Sequence, residues 1–396
     1  MNGIPPTIAT ASPLKLKGAR RCSIKKSICI ILAVLLIIPL SGCADYKNIG
    51  DMDIVTGVAV DKKDGKYLLR CEIIKHAGGS KEGGVKPLVV ETCGYTLSDA
   101  IDRTMEKVGG QVYFEQCKVL IIGEQTAGDG ELRTFAECLL GSREFHVSGT
   151  VLIRKGGPAG EVFDQKPRND TLVSIEIARV MENQKSLTYR AADTNIADIN
   201  NALDAQHGAV MLPVISIDEE DGEKQNRVGG AALLDRKRLA GFLDDDETGY
   251  LLFAANQVRG GTLIKQSETG KNICEGAKVL SNKTVLIPEI TGGKISMTIR
   301  TDTQISLTEP VPEENFAKSA SDISGIEKEF ALQLSENIKA AVIKAQIEYG
   351  CDVLGFRHEL IKKYPGQTYE LNRNWPEKFK EIDVRVDSKV NIKDVR

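Results

Sequence analysis

The sequence predicts an α+β protein of three domains, with mixed β-sheets packed by helices and a long helix in the C-terminal domain. Three observations carry that expectation. Apolar runs rich in β-formers alternate with helix-period segments through the first half. β-like segments dominate Val258–Leu307. A single long helical stripe, residues 325–349, then precedes an alternating strand near the C-terminus.

The elements follow in order. Residues 54–60, IVTGVAV, and 66–74, KYLLRCEII, form a hairpin whose turn comes from Asp61-Lys62-Lys63-Asp64-Gly65. GGSKEGG at Gly78–Gly84 lacks the Gly-Lys-Ser/Thr ending of a phosphate loop, so it reads as a loop. Ser98 precedes a helix closed by Gly109. Cys117–Gly123 is a buried strand. Asp129–Leu140 is a helix with Leu132, Phe135, Ala136 and Leu139 on one face, ended by Gly141. Another strand lies in HVSGTVLIRKG, helices at Ile175–Met181 and Thr194–Leu203, and a strand in VMLPVISI.

Asp218–Gln225 is a charged stretch that suits either a domain link or a hairpin tip. Asp244-Asp245-Asp246-Glu247 lacks the spaced oxygen ligands of a calcium loop; at the start of a helix it favours the dipole. KTVLIPEI and KISMTIR flank a Thr291-Gly292-Gly293 turn. Ser324-Gly325-Ile326-Glu327 has the capping-box pattern and opens the longest helix. On that helix Ile326, Phe330, Leu334, Ile338, Val342, Ala345 and Tyr349 form a stripe suited to packing on a sheet, and Gly350 closes it. Ile382, Val384, Val386, Val390 and Ile392 mark a half-buried strand. The expected division is 1–42, an export signal; 43–220, an N-terminal α/β region with a second subdomain from about 165; and 221–396, a C-terminal region.

Charge is unevenly placed. The 396 residues carry a net charge of −3. Residues 1–42 hold six basic side chains and no acidic one, which leaves 46 basic against 55 acidic, or −9, for the rest. Such a body has no basic excess to replace counterions, so nucleic acid is not an expected partner.

The N-terminus is a signal in form. Arg20-Arg21 and Lys25-Lys26 precede 13 residues, Ile28–Leu40, that are apolar but for one Pro. A spanning helix needs about 20 such residues, a signal-peptide core about 7–15. Leu40-Ser41-Gly42-Cys43 is a lipobox pattern: a branched apolar residue, two small residues that fit a peptidase cleft, and a thiol that takes a diacylglyceryl group. Cys43 is thus the expected lipidation site and mature N-terminus, a membrane lipid anchor in which two acyl chains give stable binding.

Nine cysteines are present, and Cys22 and Cys29 lie in the signal. Cys71, Cys117, Cys138 and Cys274 sit in apolar contexts and read as buried free thiols; Cys93 and Cys351 also remain. No Cys or His spacing suits a metal, no catalytic motif appears, and no cofactor is expected. The histidines are scattered; His146, near Arg143 and Glu144, reads as part of a solvated loop.

Several blocks, in this order, resemble the Ger(x)C spore-germination lipoproteins: Ser41–Asp61, Phe114–Gly130, Leu212–Ile217, Gly229–Asn256, Asp352–Pro365 and Asn374–Phe379. Ala44 stands where the family usually has Trp, Asn48 where an acid is common, and Arg357 where a small residue is usual. The first two bear on the membrane-proximal segment, the third on a C-terminal helix–sheet contact. The resemblance implies a non-enzymatic C subunit of a nutrient germinant receptor on the outer face of the inner spore membrane. Its implied partners are the integral-membrane A and B subunits. A lipid-anchored extracytoplasmic solute-binding protein is the alternative; that class needs two similar lobes around a pocket, and no βαβ repeat is evident.

Overall fold

The computed structural model describes residues 53–75, 86–109, 112–141, 149–169, 172–204, 208–236, 238–266, 274–308 and 320–395. Cys43 and the rest of the lipobox, the Gly78–Gly84 loop and the His146 loop lie outside them.

The first sheet begins with the expected hairpin. β1 (Asp53–Lys63) and β2 (Lys66–Lys75) pair antiparallel. Their two-residue turn has positive φ at both Asp64 (51°) and Gly65 (73°), the type I′ geometry that matches strand twist. β3 (Lys86–Gly94) adds to β2. Helix α1 (Leu97–Val108) follows, capped by Thr96 rather than Ser98: the Thr96 hydroxyl accepts from the Asp99 N–H at 3.0 Å. Gly109 ends it with φ 74°.

The centre of this sheet is parallel. β4 (Val112–Tyr113) pairs with the start of β1, and β5 (Val119–Gly123) and β6 (Thr150–Arg154) extend the sheet beside β1. α2 (Glu124–Gly128) and α3 (Leu132–Gly141) connect β5 to β6. A 3₁₀ turn (Ala159–Asp164), α4 (Val173–Asn183) and α5 (Ile196–Asp204) connect β6 to β7 (Ala209–Glu220), which pairs parallel to β6. β8 (Glu223–Asp235) and β9 (Leu239–Leu243) complete the order β3-β2-β1-β5-β6-β7-β8-β9. The charged stretch 218–225 is therefore a hairpin tip, with Asp221 and Gly222 both at positive φ.

Residues of α1, α3 and α5 share one core with Val58, Val60, Leu120 and Ile122; the 3₁₀ turn and α4 share another with Ala59, Val119 and Ile121. Cover on both faces is why β5 reads as an unbroken apolar run. Cys71 and Cys117 lie in the first core, where burial pushes the Cys117 thiol up to about 12 and raises that of Cys71 too. Cys351 is also buried and Cys93 half-exposed; Cys138, expected to be buried, is half-exposed instead, and all five are free thiols.

One buried carboxylate joins sheet to helix. Leu172, the N-cap of α4, has no side-chain acceptor, and Glu72 of β2 supplies it. Glu72 is 2% exposed and accepts from the N–H groups of Val173 (2.9 Å) and Ser174 (2.8 Å), and from the Ser174 hydroxyl. Glu72→Ala leaves those buried donors without an acceptor, so a loss of about 3–5 kcal/mol is expected in chemical denaturation, and about half of that for Glu72→Gln.

The second sheet has the order β10-β11-β12-β13. β10 (Thr262–Gln266), β11 (Cys274–Thr291) and β12 (Lys294–Leu307) are antiparallel, and β13 (Asp383–Val395) lies parallel to β12. Helix α6 (Asp245–Ala254) leads in from the first sheet, and its N-terminus carries the capping box: Asp244 accepts from the Glu247 N–H at 2.8 Å and Glu247 from the Asp244 N–H at 3.0 Å. The box expected at Ser324–Glu327 does not form, because α7 (Ala320–Ile343) already begins at Ala320. Helices α8 (Phe356–Lys363), α9 (Thr368–Arg373) and α10 (Trp375–Glu381) follow.

The stripe on α7 is confirmed as core: Phe330, Leu334, Ile338, Val342 and Ala345 are all at most 2% exposed. The same helix touches both edges of the second sheet. Glu327 accepts from the Ile392 N–H at 2.8 Å and Ser335 from the Ser388 N–H at 3.1 Å, along β13. Gln333 donates to the Ile264 carbonyl at 3.3 Å, on β10. Edge groups that invite foreign strands are thus partly occupied by one helix. Arg357 bridges helices rather than helix and sheet: its guanidinium donates to Asn372 Oδ1 at 2.7 Å, between α8 and α9.

Candidate functional site

The carboxyl ends of parallel strands are where open α/β sheets hold ligands. Here the ends of β1, β5 and β6 border a cleft of about 780 Å³ lined by Lys62, Lys63, Glu124, Thr126, Gly156 and Gly157, with Asp61 at its base. Asp61 accepts from the N–H groups of Ala159 (2.9 Å) and Gly160 (3.2 Å). Burial raises the Asp61 pKa, and those two donors oppose the shift. Gly123 packs directly on it: a Cβ there would stand 2.1 Å from Asp61 Oδ1, so the carboxylate would have to shift from its two N–H donors. Glu124 accepts from the Gly156 N–H at 2.8 Å, and Thr126 Oγ1 from the Lys62 N–H at 2.9 Å. The Lys62 ammonium pairs with Glu131, which also accepts from the Tyr67 hydroxyl at 2.7 Å.

Beneath Gly156 and Gly157 lies Arg154, 4% exposed. Its Nε has no hydrogen-bond partner, and Glu161 is 3.7 Å from its Nη2. Burial lowers the Arg154 pKa, opposed by the charges of Glu161, Asp218, Asp61 and Glu124. Asp61 and Glu124 are spent on loop N–H groups and Lys62 on Glu131. The cleft therefore presents a polar wall whose groups hold the βα loops, with no nucleophile set against a base. Among the described residues no group of three or more His, Cys, Asp or Glu side chains gathers to hold a metal.

A second arrangement joins the two sheets. The π-helical turn Gln184–Thr188 extends α4 and ends at Tyr189, which has φ 56°. The Tyr189 hydroxyl donates to the Thr262 carbonyl of β10 at 2.6 Å, and its ring meets Phe253 of α6 edge-on at 5.2 Å. Gly249 and Gly261 make room for that ring; a Cβ at Gly261 would stand 2.2 Å from it. In the other direction, the π-helical turn Lys344–Glu348 extends α7 and ends at Tyr349. The Tyr349 hydroxyl donates to the Phe242 carbonyl of β9 at 3.0 Å, and a Cβ at Gly241 would lie 2.1 Å from its ring. Lys344 pairs with Glu247 at 2.6 Å nearby. Each sheet's layer thus sends one tyrosine into a glycine socket of the other. Sequence periodicity could not find this pairing; the one local sign was Gly-Gly at 260–261.

Two family models match the chain: "Spore germination protein N-terminal domain" over residues 45–217 and "Spore germination B3/ GerAC like, C-terminal" over residues 229–396. The chain belongs to this spore-germination family. The two family regions meet at the β7–β8 hairpin, although the first sheet itself continues to Leu243. Among members, spore germination protein KC of Bacillus subtilis (strain 168) is 22% identical over 393 residues, covering 92% of this chain and 95% of that one. Spore germination protein B3 of the same organism is 24% identical over 370 residues, covering 90% and 95%. The crystal structure of the GerBC protein shares the fold, with a TM-score of 0.56 at 20% identity over 85% of this chain and 97% of that one. The family's mixed α and β architecture is therefore this chain's.

Proposed function

We propose that this chain is a non-enzymatic, lipid-anchored subunit of a nutrient germinant receptor. The observation that carries the proposal is the lipobox Leu40-Ser41-Gly42-Cys43 standing directly before a body that matches the family from residue 45. Among the described residues no helix is long and apolar enough to cross a membrane; in this reading the acyl chains on Cys43 are the attachment. Nine residues separate Cys43 from β1 at Asp53, a tether of at most about 35 Å. On the outer face of the inner spore membrane the tether raises the concentration of the body near integral-membrane A and B subunits. Nutrient occupancy elsewhere in that complex shifts an equilibrium the body shares.

The test is deletion of the gene in a strain with no redundant receptor, followed by nutrient-triggered loss of spore refractility. The response is expected to disappear and to return with the intact gene. An unchanged nutrient response would sink the proposal.

A further inference from the structure

The first sheet has a switch point. β5 and β6 are neighbours and parallel, yet their connections leave on opposite faces. α3, after β5, packs in the core of Val58, Val60, Leu120 and Ile122, whereas the 3₁₀ turn and α4, after β6, pack in the core of Ala59, Val119 and Ile121. A crevice opens where neighbouring connections part in this way, outside the carboxyl ends of the strands. The cleft of about 780 Å³ lies there, between residues 124–126 and 156–158. That volume is inside the range of about 300–1,000 Å³ typical of small-molecule sites.

The chemistry of the walls selects the ligand. In nucleotide-binding sheets the loop N–H groups at this position hold phosphate. Here those of Ala159 and Gly160 are bonded to Asp61, and that of Gly156 to Glu124. What these carboxylates still offer is lone pairs, since each has about four and the bonds named use one or two. Asp61 and Glu124 stand at adjacent strand ends, because Val60 of β1 pairs with Ile122 of β5. Asp64 and Asp129 add two exposed carboxylates at the rim. Against them the lining has Lys62, which Glu131 neutralises, and Lys63. Arg154 lies beneath the glycine loop and faces Glu161. We propose that this cleft binds a small organic cation through a primary ammonium group, with Asp61 and Glu124 as its acceptors. An ammonium brings three N–H donors of its own, whereas calcium takes about six to eight oxygens. Such a site belongs to the body alone and stands whether or not the chain serves a receptor.

The test is ligand-observed saturation-transfer spectroscopy on the full chain in nonionic detergent, with propylammonium as the probe. Saturable binding at about 1 mM is expected. Glu124→Gln keeps an amide oxygen for the Gly156 N–H but removes the charge, and should weaken binding about tenfold. Asp64→Asn with Asp129→Asn, both exposed, should weaken it about threefold. Glu377→Gln, exposed on α10, should leave it unchanged. Propionate should not bind, and equimolar calcium should not displace the probe. The site would be overturned by no saturable binding, by undiminished binding in Glu124→Gln, or by an equal loss in Glu377→Gln. Propionate binding as tightly as the probe, or displacement by calcium, would overturn it too.

Discussion

On the proposed function, Cys43→Ala is expected to release the chain from the membrane and to abolish recovery of the proposed membrane partners. The reason is arithmetic about anchors. Two acyl chains hold a protein stably where one gives marginal binding, and the variant has none. The uncut signal does not replace them. Its 13 apolar residues, Ile28–Leu40, would make a helix of about 20 Å, short of the ~30 Å hydrocarbon core. Residues 43–396 carry −9, so anionic lipid does not attract them as a whole. The measurement is fractionation and co-purification from spores, intact chain against variant. Membrane association and partner recovery at the level of the intact chain would place the anchor elsewhere.

Tyr189→Ala together with Tyr349→Ala is expected to uncouple the two sheets. Each ring fills a socket that glycines leave open, so each truncation creates a void at the junction and removes a hydroxyl bond to a backbone carbonyl. Both side chains are partly exposed, which places each loss near about 2–3 kcal/mol, below that of a fully buried aromatic. Tyr→Phe at either position keeps the packing and should cost about 1 kcal/mol. Calorimetry should show one transition for the intact chain and two for the double Ala variant, with faster amide exchange in β10 and β9. A single transition at an unchanged temperature would mean that the tyrosines do not couple the sheets.

Much of the first sheet was legible in the residues. The β1–β2 turn carries Asp64-Gly65, a dipeptide suited to positive φ, and an apolar run as dense as Val119–Ile122 belongs in a sheet covered on both faces. The stripe on α7 was also legible, since helical period alone decides which face is buried. Caps were less so. Thr96 takes the place expected of Ser98, and α7 starts before Ser324, because neighbouring turns of chain choose among several competent caps. Among the thiols, Cys71 and Cys117 are buried as their apolar neighbours suggest. Cys351 is buried in the second core without such a signal.

The sequence by itself determined features that depend on local chemistry: the periods of strands and helices, the order of blocks shared with the spore-germination family, and the lipobox pattern Leu40-Ser41-Gly42-Cys43 on which the proposed anchor rests. Only the tertiary structure decided which distant groups satisfy one another. Glu72 caps α4 from across the sheet, Asp61 holds the loop at Ala159 and Gly160, and Tyr189 and Tyr349 enter sockets in the opposite layer. The physical reason is that a period is written every two or four residues, whereas a buried donor finds its acceptor about 100 residues away, as Val173 finds Glu72, only once the sheet and the helices on its face are in place.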